Sequence, residues 1–99
     1  MNLVYLEDAL TDIGEIGDYI AEDDPEQARR FLASLREFIA TIAENPRRFR
    51  LRSEWGQSVR AANFSSYLVV FEHDESNVFI LRIASGRRNI VALLSDDER

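Results

Sequence analysis

Arg60 and Arg82 each interrupt an otherwise apolar, alternating stretch. An arginine so placed demands a carboxylate, a phosphate or solvent, because burying its charge unpaired costs several kcal/mol. Two uses follow. Both guanidiniums could hold an anionic group of a target or partner, or both could pair internally, with Glu54 or Glu72 as available carboxylates. Glu54 could also serve as a general base near Arg60, although a lone carboxylate is a weak signal. Arg87 and Arg88 follow the last apolar stretch and read either as a solvated turn or as a partner contact. The single histidine, His73, sits among acidic neighbours in an expected loop, which favours an exposed side chain over a catalytic one. The chain has no cysteine, and His73 has no companion ligands nearby, so neither a metal site nor a cofactor is expected. Trp55 suits a core or an interface equally.

These residues need elements to position them. Asn2 to Leu6 reads as a short strand, and Glu7 to about Asp23 as a helix carrying Ala9, Ile13, Ile16 and Ile20 on one stripe. Gly14 and Gly17 weaken that helix by about 1 kcal/mol each unless they let a second helix approach closely. Asp24-Pro25-Glu26-Gln27 is a start signal, with Asp24 as cap and Pro25 at the first helical position. In the helix that follows, Ala28, Phe31, Leu32, Leu35, Phe38, Ile39, Ile42 and Ala43 fall within an arc of about 140°. It should end at Asn45-Pro46, since the residue before proline resists helical geometry. The short link at residues 22–24 makes the two helices an antiparallel hairpin.

Beyond Pro46 the period changes from helical to alternating. Ser58 to Asn63, Leu68 to Glu72 and Val78 to Ala84 read as strands, joined by turns at Ser65-Ser66 and at His73 to Asn77. Residues 47–57 have no clean period and read as a loop. Alternation puts Phe79, Leu81 and Ile83 on one face of the last strand, expected to meet the helices. Leu68, Val70, Val78 and Ile80 are then expected on the face away from the hairpin, with Arg60 and Arg82 sharing that open side.

Ninety-nine residues are enough for one domain, 1–99. An apolar content of 45% belongs to a chain that folds. No apolar run approaches the roughly 18 residues of a membrane span, and no secretory leader is visible, so a cytoplasmic protein is expected. The net charge of −6 excludes a protein that coats nucleic acid by electrostatics alone, and no sequence-specific DNA binding by this chain alone is expected. That average hides a division: residues 1–44 hold 11 acidic and 3 basic side chains, residues 45–94 hold 4 acidic and 8 basic, and every basic residue is arginine.

The order of strand, helical hairpin and antiparallel meander resembles the ParE/RelE superfamily of type II toxins. The residues that carry the likeness are Ala9, Asp12-Ile13, Ile16 and Tyr19-Ile20 in the first helix, and Ala28, Phe31-Leu32 and Leu35 in the second. Asn45-Pro46, Val59-Arg60, Tyr67 to Phe71, Val78 to Ile83 and Ser85-Gly86-Arg87-Arg88-Asn89 complete it. The resemblance implies an α+β toxin fold and a ParE-like plasmid-stabilisation toxin that inhibits DNA gyrase and is neutralised by a ParD-like antitoxin. Arg60, Arg82, Arg87, Arg88, Leu68, Val70, Val78 and Ile80 are the expected target or antitoxin contacts. Alternatives are a RelE-like ribosome-dependent mRNA endonuclease held by a RelB-like antitoxin, with Arg60, Arg82 and Glu54 in its chemistry, or a decayed toxin that only binds antitoxin. Many relatives carry His and Asp where this chain has Ser85 and Asn89, and the chain lacks lysine. Both departures deplete the groups that RNA cleavage would use.

Overall fold

A computed structural model of the chain describes residues 1–97. In chain order its elements are β1 (Asn2–Tyr5), α1 (Glu7–Ala21), α2 (Pro25–Glu44), a 3-10 turn (Pro46–Arg48), β2 (Arg60–Phe64), β3 (Tyr67–His73), β4 (Asn77–Ser85) and α3 (Ile90–Asp97). The four strands form one sheet in the order β1-β4-β3-β2. The meander β2-β3-β4 is antiparallel, as its turns require, and β1 adds to β4 in parallel, Asn2 to Tyr5 against Asn77 to Ile80.

The helical hairpin forms where its signals lie. The Asp24 carboxylate accepts the N–H groups of Glu26 and Gln27 at 3.1 Å each, satisfying two donors of the first turn of α2 that no helical carbonyl reaches. Gly17 explains one of the two glycines of α1. A Cβ there would lie 2.8 Å from Leu32 Cδ1, so the bare backbone is what lets α2 come close, whereas Gly14 faces open space.

The hairpin covers one face of the sheet. Ala9, Ile13 and Ile16 of α1 and Leu35, Ile39 and Ile42 of α2 bury against Ala62, Val69, Phe71, Val78, Ile80 and Ile83. A chain of aromatic edges runs Tyr67, Phe31, Phe64, Phe38, Phe49, Phe71, with ring centroids 5.2–6.3 Å apart. The opposite face carries a second, smaller cluster, in which Val59, Val70 and Ala84 are covered by Ile90 and Leu93 of α3. Among the described residues no helix is long and apolar enough to cross a membrane.

The face assignment within β4 differs from the alternation, and the reason is a bulge. Val70 pairs with Arg82 and Phe71 with Ile80, so Leu81 is an extra residue opposite the junction of Val70 and Phe71. The insertion resets the inward and outward pattern. Val78 and Ile80, expected on the open face, are fully buried beneath the hairpin, Ile83 joins them after the bulge, and Leu81 turns to the other side. Nor is that other side open, because α3 lies on it. Asn89 caps this helix, its side-chain oxygen accepting the Ala92 N–H at 3.2 Å.

Candidate functional site

Arg82 is held inside the chain. Its Nε and Nη2 donate to the two oxygens of Asp12 at 2.8 and 2.9 Å, a bidentate pair whose side chains are only 15% and 9% exposed. Asp12 Oδ2 also accepts the Ile83 N–H at 2.9 Å, and Arg82 Nη1 lies 3.5 Å from the Leu93 carbonyl. The sheet topology explains the arrangement. β1 ends level with Ile80, where the Leu6 N–H reaches the Ile80 carbonyl, so the rest of β4 has no strand on that side. The carboxylate of Asp12 takes the place of a strand there and neutralises the arginine beside it. Neither Glu54 nor Glu72, the carboxylates considered from sequence, is the partner.

Arg60 is on the other face of the sheet. It pairs with Phe71 and Arg82 pairs with Val70, neighbours on β3 whose side chains enter opposite clusters. The expectation that both arginines share one open side is therefore corrected. Arg60 Nη1 donates to the carbonyls of Phe49 at 2.6 Å and Arg47 at 3.4 Å, tying the loop after α2 to β2, and its Nε is buried with no partner among the described residues.

Glu54 belongs to a different arrangement. Arg52 Nε donates to Glu54 Oε2 at 2.8 Å, and the Arg52 guanidinium stacks on the Trp55 ring 3.8 Å from its centroid. The hydrogen bond from Arg52 is the main reason the Glu54 carboxyl is held below the usual glutamate range, which makes it a poor proton acceptor. His73 is half-buried at the end of β3, its Nδ1 3.0 Å from the Asp74 carbonyl. Arg87 and Arg88 are exposed in the turn after β4. Of the apolar contact residues, Leu68 is half-buried and Val70 fully buried in the α3-side cluster, while Val78 and Ile80 lie in the hairpin core. The proposed apolar contact face thus does not exist as an open surface.

A cleft of about 480 Å³ is lined by Leu6, Trp55, Gly56, Gln57, Ser58, Val59, Glu72, Leu81 and Leu94. The loop from Trp55 to Val59 sets one wall and Leu94 of α3 another. Gly56 has φ +152°, and a Cβ there would meet Val59 Cγ2 at 2.8 Å, so the loop that shapes this wall requires glycine. Sequence reasoning missed the cleft because two of its walls, residues 55–59 and α3, have no readable period.

The family described as ParE toxin of type II toxin-antitoxin system, parDE, matches residues 3–90. The chain belongs to the ParE toxin family. A solved structure described as the chromosomal ParDE toxin-antitoxin system from P. aeruginosa shares the fold, with a TM-score of 0.74 at 22% identity, over 86% of this chain and 95% of that one. No curated protein sequence matches the chain. The family match runs from β1 to the first residue of α3, so it covers the helical hairpin, the whole meander and the positions of Asp12 and Arg82.

Proposed function

We propose that this ParE-family chain works as one domain in the cytoplasm, inhibits DNA gyrase by binding it, and is neutralised by a ParD-like antitoxin. Family membership supports the toxin role. The observation that carries the mode of action is the placement of the two strand arginines. A phosphate-cleaving site built on Arg60 and Arg82 would need them to converge, with a carboxylate free to move a proton. Here they lie on opposite faces, Arg82 is locked to Asp12, Arg60 is bound to loop carbonyls, and Glu54 is held ionised by Arg52. Steric and electrostatic engagement of a protein target asks for none of that machinery.

The test is expression of the chain alone from an inducible promoter, followed by assays with purified protein. Filamentation, DNA damage signalling and loss of gyrase supercoiling activity, all relieved by co-expressing the cognate antitoxin, are expected. Codon-specific cuts in ribosome-bound message would replace this reading with the endonuclease. Binding to antitoxin by a folded protein with neither toxicity would favour the decayed toxin.

A further inference from the structure

Residues 45–60 are the basic pole of an acidic chain. They hold five arginines and one acidic residue, net +4, while the remaining residues of the chain sum to −10. Their one carboxylate, Glu54, is taken by Arg52. Arg47, Arg48 and Arg50 are exposed, and no carboxylate among the described residues forms an ion pair with any of them. On a loose loop such a run would be solvated surface and nothing more. This one is built onto the core. Pro46 is buried, and the Phe49 ring packs edge-on against Phe38 and Phe71, with centroids 6.3 and 5.8 Å away. Arg60 of β2 donates to the carbonyls of Arg47 and Phe49, and the Arg52 N–H donates to the Val59 carbonyl at 2.7 Å. Arg48 is held over the Phe49 ring, 4.6 Å from its centroid, and donates to Thr41 Oγ1 at 3.2 Å. The backbone beneath the three guanidiniums is thus fixed at both ends, so less freedom is lost when an anion engages them.

The occupant follows from what this strip lacks. A protein partner anchors on apolar and aromatic groups in pockets, whereas only Leu51 among the strip's large apolar side chains is exposed. A phosphate backbone asks for positive charges in fixed positions and for no pocket. The acidic remainder of the chain repels such a backbone over most of the surface, which confines the contact to this pole. We propose that Arg47, Arg48 and Arg50 form a sequence-independent contact for the phosphate backbone of duplex DNA. The contact deepens, and rests on, the reading of gyrase as the target: it gives the chain a hold on the nucleic acid that its target carries. It is not coating, because one small pole alone takes part.

The probe is a fluorescein-labelled DNA duplex of about 30 base pairs, with the full chain titrated against its anisotropy. Half-saturation is expected on the order of 10–100 μM at 50 mM salt, equally for two unrelated sequences. Three phosphate contacts correspond to a slope of about −2.7 in log affinity against log salt, so binding should weaken about fortyfold between 50 and 200 mM. Arg47→Gln, Arg48→Gln and Arg50→Gln, each checked for an unchanged far-UV spectrum and melting temperature, should each reduce that slope by about 1. The triple variant should not bind, and Arg30→Gln on the exposed side of α2 should bind like wild type. No rise in anisotropy, or binding that the triple variant keeps, would overturn the proposal. So would an RNA duplex of the same sequence bound tenfold more tightly, or a capped hexaglutamate peptide that outcompetes the DNA, since RNA or an acidic protein segment would then be the occupant. Gyrase inhibition without strip-dependent DNA binding overturns this proposal and leaves the target reading standing. Strip-dependent DNA binding by a chain that does not inhibit gyrase does the reverse.

Discussion

Removing the Asp12 carboxylate should damage this protein more than any surface change of similar size. Asp12→Ala leaves the Arg82 guanidinium, whose side chain is 15% exposed, without its bidentate partner, and strips the Ile83 N–H of its acceptor. Breaking a buried pair from one side costs about 3–5 kcal/mol, and an orphaned buried N–H about 1–3 kcal/mol. The two losses overlap, because water that reaches the arginine also reaches the amide, so about 3–5 kcal/mol is expected for the pair of effects together. That approaches the whole stability of a small domain, about 5–15 kcal/mol. Asp12→Asn keeps an acceptor for Ile83 and should fall between the alanine variant and wild type. Urea denaturation followed by Trp55 fluorescence and far-UV circular dichroism measures it. With a slope of about 1–3 kcal/mol per molar urea, the midpoint of Asp12→Ala should drop by at least about 1 M. Arg82→Ala should also destabilise, because it leaves the Asp12 carboxylate buried without its partner. An unfolding free energy for Asp12→Ala within about 0.5 kcal/mol of wild type, or no coupling in the Asp12/Arg82 double-mutant cycle, would refute the assignment.

Ile39→Ala, at a fully buried position of α2, should cost about 2–5 kcal/mol, whereas Phe38→Ala should cost less than the 3–5 kcal/mol of a buried phenylalanine because Phe38 is half-buried against Phe49 and Phe64; paired denaturation curves rank them. Gly14→Ala adds a methyl group to open space on α1 and should stabilise the chain by up to about 1 kcal/mol, seen as a raised melting temperature. The N–H groups of Ser76, then Asn77, hold the Asp74 carboxyl below the usual aspartate range. Its contribution to the β3-β4 turn is therefore complete above the ordinary aspartate value and fades as pH falls through the lowered one, which an NMR titration of the Asp74 carboxyl should show as a midpoint shifted downward.

Local signals were legible and long-range ones were not. Asp24, Pro25 and Asn45-Pro46 bracketed α2 because capping is decided within four residues. Ser65-Ser66 marked its turn, and Ser65 adopts φ +56° there. The bulge at Leu81 defeated the alternation, since one inserted residue moves every later side chain to the other face. α3 hid in Ile90 to Leu94, an apolar run too short to show a period. The partner of Arg82 lies 70 positions away, yet it left a trace. Asp12 falls within the apolar stripe of Ala9, Ile13 and Ile16, where an unpaired carboxylate could not stay.

The parallel pairing of β1 with β4 has a consequence during synthesis. Asn2 waits for Asn77, 75 residues downstream, while both helices of the hairpin are complete by Glu44. At about 5–20 residues per second, the first strand stays without its neighbour for about 4–15 s after it is made. The helical half can gather early through local contacts, but the sheet cannot close around its first strand until β4 has emerged. The nascent chain therefore holds no finished sheet until β4 has been made, an interval in which a partner already present can meet it.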